Sequence, residues 1–203
     1  LAPLGLAGMF ARRGEVQAAR AAEAAGVAFT LSTVGICGLD EVRRAVTAPV
    51  WFQLYMLRDR GIVQALLQQA WDAGCRTLVF TVDLPLPGMR HRDTRNGLGA
   101  GSARARLLKA ADLLCHPRWM WEVGVRGKPH VFGSLAGQVS GARDLDGFKA
   151  WVDSQFDPSV TWADIADPMQ GHTPGTRDGL GVLSQSRAGG GSVSLIEAPV
   201  ADQ

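Results

Sequence analysis

The chain has no strong excess of positive or negative side chains and no long apolar run, and it contains few cysteines. Its 203 residues carry 21 basic and 19 acidic side chains, which gives no electrostatic argument for a nucleic-acid partner. The three cysteines are odd in number and form no CxxC pair, so we expect reduced, cytosolic-type thiols rather than a disulfide framework or a metal site. Without a signal peptide or an apolar run near the ~20 residues of a membrane span, we expect a cytoplasmic protein with no spanning helix.

What the sequence does contain is a repeated helix-strand pattern over its first 83 residues. In each unit a helix ends, a glycine or a short turn follows, and an apolar strand then finishes in hydroxyl or amide residues. The predicted helices are 13–25, 39–46 and 61–73, and the predicted strands are 1–6, 28–33, 50–56 and one beginning at 77. Repetition of such units predicts parallel strands joined by helical crossovers.

Polar residues stand at the carboxyl end of each successive strand rather than at one point of the sheet. They include Ser32, Gln53, Tyr55, Thr81 and Asp83. An open doubly wound sheet concentrates its ligands at one switch point, whereas a (β/α)8 barrel collects them from the ends of several strands. We therefore predict an α/β fold that forms about the first four units of a TIM barrel, although an open sheet remains the alternative.

The repeat stops after Asp93. A basic amphipathic helix is predicted at 102–114, and 116–141 has the composition of a long functional loop after the fourth strand. Another helix is predicted at 144–156, with Asp144 as its N-cap. From about 167 onward aromatic residues disappear, glycine becomes frequent and periodicity is lost except for a weak strand signal at 192–196. We predict one partial barrel domain at 1–166 and an unrelated, disordered C-terminal tail at 167–203.

The chemistry-bearing residues each have a structural interpretation as well as a functional one. Ser32 can simply cap the next helix or satisfy backbone groups. Gln53 is costly to bury in an apolar strand, which favours a ligand or a polar network. Asp83 and Arg90 can form a structural ion pair at the strand end. From the residues alone these alternatives stay open.

Several ordered segments resemble the FMN-dependent α-hydroxy acid dehydrogenases, and within that family the bacterial respiratory enzymes that oxidise L-lactate. The resemblance rests on APLGLAGM, TLST, WFQLYMLRDR and TVDLPLPGMRHRD, and it continues through His116-Pro117 and FDPS to about residue 166; the four motifs occupy 2–9, 30–33, 51–60 and 81–93. It implies a barrel fold, FMN as cofactor, no metal, and a homo-oligomer in the complete protein.

The resemblance also assigns roles to residues of this chain. It implies that Pro3, Leu4 and Gly5 line the flavin near its reactive nitrogen, and that further residues bind the flavin ring by hydrogen bonds, namely Ser32, Gln53 and Thr81. For the substrate it implies Tyr55 facing the bound 2-hydroxy acid, Asp83 orienting the catalytic histidine, and Arg90 binding the substrate carboxylate. These residue types suit the reaction, since a guanidinium recognises a carboxylate and a buried aspartate raises the pKa of an adjacent imidazole.

The implied activity is oxidation of L-lactate to pyruvate, or of another 2-hydroxy acid to its 2-oxo acid, with electrons passed to a quinone. The basic, tryptophan-bearing stretch 104–128 is a candidate for peripheral contact with the inner membrane, although a packed polar face is the plainer interpretation.

Two other interpretations remain open. The family's histidine, lysine and second arginine motifs do not occur in this sequence, and His172 lacks the motif around the family's base. A (β/α)8 barrel needs about 250 residues. The chain can therefore be a truncated or frame-shifted, non-catalytic half-barrel. A different phosphate-binding barrel, such as an aldolase, is a weaker alternative.

Overall fold

A computed structural model of the protein describes residues 1–81, 103–138, 151, 154–157 and 159, and the backbone of 181–185 and 193–196. Of 103–106, 108 and 109 only the backbone is described. The main elements in chain order are α1 Gly14–Ala24, β1 Phe29–Ser32, α2 Leu39–Ala45, β2 Val50–Tyr55, α3 Arg60–Asp72, β3 Thr77–Thr81, α4 Ala103–Cys115, β4 Gly181–Gln185 and β5 Val193–Ile196. A 3-10 helix at Ala7–Met9 precedes α1, and a helical turn at Pro117–Trp119 continues into a π-helix at Met120–Val125.

The predicted repeat is present in α1–β1 and α3–β3. Both helices end at a glycine with positive φ, Gly26 at 67° and Gly74 at 79°, a conformation that closes a helix and is strained for residues with a Cβ. Helix α3 begins under a side-chain cap, because Asp59 accepts from the backbone N–H groups of Gly61 and Ile62. The helices and strands predicted between 13 and 81 are confirmed to within two residues at each end.

The strands form one sheet in the order β1-β2-β3-β4-β5, with the first four parallel and β5 antiparallel to β4. Successive strands along β1, β2 and β3 are neighbours in the sheet, as in a barrel, and the order does not reverse as it does at the switch point of a doubly wound sheet. This confirms the α/β class with a parallel sheet. Ser32 pairs with Gln53, and Tyr55 pairs with Thr81.

The two faces of the sheet differ in chemistry. One face contributes Leu31, Phe52, Leu54, Leu78 and Phe80 to the main hydrophobic cluster, together with apolar residues of α1, α2 and α3. Because side chains alternate along a strand, the opposite face carries the intervening residues. These are mostly polar or aromatic, namely Thr30, Ser32, Trp51, Gln53, Tyr55, Thr77, Val79 and Thr81.

The prediction of a first strand at 1–6 is wrong. This segment has no regular structure, and Leu6 adopts a left-handed conformation with φ of 60°. Pro3 has no backbone donor, which also disfavours a complete ladder. The segment nevertheless runs along the outer side of β1, since Thr30 donates to the carbonyl of Leu1 at 3.1 Å and Leu6 donates to that of Val34 at 3.0 Å.

The prediction of a disordered tail at 167–203 does not hold where the structure describes that region. Strand β4, Gly181–Gln185, pairs with β3 over five residues, and β5, Val193–Ile196, pairs with β4. The edge of β3 offers unpaired backbone groups, and β4 satisfies them despite its weak sequence signal. The weak strand signal at 192–196 is confirmed. The division into 1–166 and 167–203 stays a prediction, and most of the helix predicted at 144–156 lies outside the described residues.

The long loop that follows α4 is anchored on the N-terminal region. The indole N–H of Trp119 donates to the carbonyl oxygen of Met9 at 2.9 Å. The guanidinium of Arg13 donates to the carbonyl oxygens of Gly127 and Pro129 at 3.4 and 3.5 Å, and it also pairs with Glu41 of α2. These contacts bring a segment near residue 120 back to residues 9–13.

Candidate functional site

Four predicted site residues lie on the same face of the sheet, at the carboxyl ends of neighbouring strands. Ser32 ends β1, Gln53 and Tyr55 are two residues apart on β2, and Thr81 ends β3. Their cross-strand pairing places all four side chains on the polar face. The sequence therefore placed these residues correctly relative to one another, while their roles stay predictions.

Three of the four side chains are joined in one hydrogen-bonded chain across the strands. The hydroxyl of Ser32 donates to Gln53 Oε1 at 2.9 Å, and Gln53 Nε2 donates to Thr81 Oγ1 at 3.0 Å. Gln53 is 1% exposed and Ser32 is 3% exposed, so both need these partners to offset the cost of burial. The chain ends at the hydroxyl of Thr81, whose own proton has no acceptor among the described residues.

Thr33 supports this chain and was not among the predicted site residues. Its hydroxyl donates to the Gln53 carbonyl at 2.5 Å and accepts from the backbone N–H of Tyr55 at 3.4 Å. The backbone N–H of Thr33 also donates to the Gln53 carbonyl at 3.0 Å. Thr33 thereby extends the connection between β1 and β2 past the end of β1. The TLST motif contains this residue, but hydroxyl content alone does not distinguish a strand connector from a ligand contact.

The predicted flavin-lining segment of Pro3, Leu4 and Gly5 lies beside the end of β1. A Cβ on Gly5 would meet Val34 Cγ2 at 2.8 Å, so a larger residue at position 5 would require Val34 to shift. Val34 in turn donates its backbone N–H to Ser32 Oγ at 3.3 Å. Leu4 is 61% exposed, so its apolar side chain is open to solvent.

Tyr55 contacts a residue far along the chain. The rings of Tyr55 and Phe156 meet edge to face, with centroids 5.5 Å apart and planes at 89°, a favourable geometry for aromatic pairs. The segment that carries Phe156 is bound to the first residue of α3 by an ion pair, in which Arg60 Nη2 lies 2.7 Å from Asp157 Oδ2. The sequence marks Phe156 only as part of the FDPS motif of the resemblance and carries no signal for its contact with Tyr55.

Hydrogen bonds to the carboxylate lower the pKa of Asp157. The hydroxyl and the backbone N–H of Ser159 donate to Asp157 Oδ1 at 2.6 and 3.0 Å, and the positive charge of Arg60 acts in the same direction. Asp157 is therefore ionised near neutral pH, as its ion pair with Arg60 requires.

Asp83 and Arg90, predicted to orient the catalytic base and to bind the substrate carboxylate, lie outside the described residues. Within the part of the chain that the structure describes, no group of three or more His, Cys, Asp or Glu side chains is arranged to hold a metal ion. The described site is therefore a face of hydroxyl, amide and phenol groups. Such a face can bind a flat, polar ring that has both donors and acceptors along its edge.

Comparison with known proteins places the whole barrel-like region in one family. The family model described as FMN-dependent dehydrogenase matches residues 1–176. An L-lactate dehydrogenase of Caulobacter sp. (strain K31) is 54% identical over 166 residues, covering 81% of this chain and 43% of that protein. An L-lactate dehydrogenase of Actinobacillus pleuropneumoniae serotype 5b (strain L20) is 50% identical over 165 residues, with the same coverage. The chain thus spans less than half the length of these relatives.

Solved structures show the same relationship. The monotopic membrane protein (S)-mandelate dehydrogenase aligns with a TM-score of 0.73 at 29% identity, covering 91% of this chain and 46% of that one. A mandelate oxidase aligns with a TM-score of 0.59 at 29% identity, covering 92% and 41%. The resemblance drawn from the sequence motifs is confirmed, and so is FMN as the cofactor. The chain belongs to the FMN-dependent dehydrogenase family.

Proposed function

We propose that this chain provides the flavin-ring side of an active site that oxidises L-lactate, or a closely related 2-hydroxy acid, to the 2-oxo acid. The observation that carries this proposal is the buried chain from Ser32 through Gln53 to Thr81, at the carboxyl ends of three parallel strands. The proposal further includes three features that the resemblance implies: an eight-stranded barrel, a quinone as electron acceptor and a homo-oligomeric complete protein.

The residues present fit a flavin ring. The ring edge of FMN needs both donors and acceptors, and the Thr81 hydroxyl and the Gln53 amide supply them from one face. Leu4 is exposed and Gly5 packs closely against Val34 beside the end of β1, and in this proposal the two residues line the flavin. When bound, FMN would accept the two electrons of the oxidation. The protein's own contribution is to hold the ring in a fixed plane and to keep water from its inner face.

The substrate contacts belong to Tyr55, Asp83 and Arg90 in this proposal. Tyr55 projects from the same face as Gln53, two residues further toward the strand end, so its phenol can face a 2-hydroxy acid stacked on the ring. Arg90 would bind the carboxylate of that acid, and Asp83 would hold a histidine base in its cationic form after proton transfer.

We further propose that the 203-residue chain alone does not turn over, which is the half-barrel alternative. The sequence has four histidines, none of them in the family's motif. Of the two described, His116 is exposed and lies beside Asp112, while the ring of His130 contacts the carbonyl of Val123. Neither contacts the polar face, so no described histidine can take the proton of a substrate bound there.

Flavin binding and flavin reduction test these two statements separately. The chain is purified with excess FMN, and the bound flavin absorbance is followed anaerobically after L-lactate is added, with D-lactate as the control. We expect bound FMN whose absorbance does not bleach. Failure to bind FMN would contradict the flavin-ring proposal, and bleaching by L-lactate would contradict the half-barrel statement. Glycolate and mandelate in the same assay compare the related substrates.

A peripheral membrane contact is the second part of the proposal. The region of α4 and the following helical turns exposes large apolar side chains next to basic ones; they are Leu107, Leu114, Trp121 and Val125 with Arg118, Arg126 and Lys128. Apolar anchors beside cations suit an anionic lipid surface. Among the described residues no helix is long and apolar enough to cross a membrane.

Sedimentation with vesicles tests the membrane contact. We expect the protein to sediment with vesicles that contain phosphatidylglycerol and to stay in solution with phosphatidylcholine vesicles. Trp121→Ser should reduce the bound fraction, whereas Val27→Ser, an exposed apolar residue 51% accessible at the end of α1, should not. Equal loss in both variants would contradict the assignment of this surface.

A further inference from the structure

The ring of Tyr55 is held from one side by a residue that is 101 positions away. Phe156 meets it edge to face at 5.5 Å. Both residues are only partly buried, and Phe156 also packs against the main hydrophobic cluster. The torsion that turns a tyrosine ring is broad. The edge-to-face contact with Phe156 restricts this torsion.

Phe156 is positioned by a short antiparallel contact with the loop after β2. Leu57 and Phe156 form an isolated β-bridge. The backbone N–H of Arg58 donates to the carbonyl of Gln155 at 2.8 Å, and the Arg58 guanidinium donates to the carbonyl of Phe156 at 3.2 Å. Because Leu57 is two residues after Tyr55, this bridge places the Phe156 ring directly beside the end of β2.

The ion pair between Arg60 and Asp157, called the latch below, stabilises this bridge. The guanidinium of Arg60 donates from Nη1 to the carbonyl of Leu57 at 2.8 Å and from Nη2 to Asp157 Oδ2 at 2.7 Å. One planar group thus binds both sides of the bridge, a geometry that lysine cannot reproduce. The other oxygen of Asp157 is occupied by Ser159, so the carboxylate is fixed in turn. The Asp157 side chain is 11% exposed and that of Arg60 is 38% exposed, so water reaches the pair mainly from the arginine side.

We propose that Arg60 and Asp157 are positioning residues for Tyr55: their ion pair holds Phe156 against the Tyr55 ring and so sets the direction in which the phenol faces a bound 2-hydroxy acid. The consequence for substrate rests on the proposed function. The consequence for Tyr55 itself does not, because it concerns the protein without flavin or substrate.

Tyr55 is the single tyrosine of the sequence, which gives a direct test. The protein is produced with 3-fluorotyrosine, and its one ¹⁹F resonance is recorded without ligands. Phe156→Leu removes the aromatic ring and defines the resonance of Tyr55 without its edge-to-face contact. We expect Arg60→Ala and Asp157→Asn to move the resonance in the direction of the Phe156→Leu spectrum. Arg60→Lys keeps the positive charge but cannot bind the Leu57 carbonyl and Asp157 together. We expect it to move the resonance only part of the way toward that of Phe156→Leu.

Arg43→Ala is the matched control for general destabilisation. Arg43 also uses its guanidinium to bind two carbonyl oxygens, those of Ala73 and Ala48 at 2.9 and 2.6 Å, but it ties α2 to the end of α3 and the turn before β2. Its loss should lower the melting temperature without moving the Tyr55 resonance. The proposal is overturned if Arg60→Ala leaves the resonance at the wild-type position. It is also overturned if Phe156→Leu does not move the resonance, or if Arg43→Ala moves it as far as Arg60→Ala does.

Since the readout needs neither flavin nor lactate, it separates this inference from the proposed function. If the chain fails to bind FMN but shows the expected resonance shifts, the positioning role of Arg60 and Asp157 stands while the proposed function fails. A chain that binds FMN but shows no shift in Arg60→Ala would overturn the latch alone. A folded control spectrum by circular dichroism accompanies each variant, and Arg60→Lys provides the milder change if Arg60→Ala does not fold.

Discussion

Replacing Gln53 by methionine should cost both stability and FMN affinity, by amounts that follow from its two hydrogen bonds. Methionine has a similar shape but cannot accept from Ser32 or donate to Thr81. Each bond contributes about 1 kcal/mol net, and the buried Ser32 hydroxyl is left without an acceptor, which adds a further penalty. Thr81 is half-buried, so water can replace its lost partner. We expect the free energy of unfolding to fall by about 2 to 3 kcal/mol.

The expected effect on FMN is smaller and separate. If the Gln53 amide contributes one hydrogen bond to the flavin ring, its loss costs about 1.4 kcal/mol, or roughly a tenfold increase in Kd. Unfolding in urea, followed by tryptophan fluorescence, measures the first quantity. Titration of FMN against its own fluorescence quenching, under conditions in which both proteins are fully folded, measures the second.

Thr33→Val is the matched control for this experiment. It also removes two hydrogen bonds of a buried side chain at the same strand ends, those with the Gln53 carbonyl and the Tyr55 N–H. We expect it to destabilise the protein by a similar amount and to leave the Kd for FMN within about twofold. An unchanged Kd in Gln53→Met, or an equal loss of affinity in Thr33→Val, would refute the assignment of Gln53 to the flavin ring.

Three further predictions concern the rest of the described fold. Thiol reagents should modify the exposed Cys115 quickly at pH 8 and the buried Cys37 and Cys75 only on unfolding. Burial raises the pKa of the Cys37 thiol to about 12 and that of the Cys75 thiol to about 11. Modification of three thiols at one rate in the folded protein would contradict this. Gly8→Ala should destabilise the fold by about 1–3 kcal/mol in urea unfolding, since its Cβ would meet Ile36 Cβ at 2.6 Å; wild-type stability would show that the contact relaxes without cost. Asp157→Asn should be less stable than wild type at pH 7 but equally stable in acid, because the pKa of Asp157 is lowered in the folded state, so its contribution is present above pH about 4 and is lost as the pH falls through the lowered pKa. A stability difference that does not shrink as the pH is lowered from 7 into the acid range would contradict it.

The sequence predicts the repeating part of the fold well because its signals are local. Glycine after α1 and α3, apolar stripes on the helices and hydroxyl residues at strand ends all act within one unit, and parallel pairing then brings Ser32, Gln53 and Thr81 together. The irregular parts follow from contacts between distant segments. Arg60 and Asp157 are 97 residues apart, and no pattern along the chain pairs one arginine with one aspartate. Residues 1–6 are mostly apolar, but Pro3 lacks a backbone donor and Leu6 is left-handed, and the segment forms no regular strand.

Strand β4 was missed for a related reason. Its sequence, Gly-Val-Leu-Ser-Gln, has little strand propensity of its own. Its place in the sheet follows from the unsatisfied edge of β3, which is a property of the assembled strands. Thr33 and Phe156 belong to motifs that were recognised, yet only the fold reveals which neighbours they contact.

The bond between Trp119 and Met9 has a consequence for the order of folding. The α1–β1–α2–β2–α3–β3 units can form from contacts between residues near in sequence, whereas this bond spans 110 residues. Closing a loop of that length costs about 4 kcal/mol of chain entropy before any contact is made. Once the intervening strands have assembled, most of that cost has already been met. The loop that carries Trp119 is therefore expected to dock after the sheet, as a late and separately reversible step.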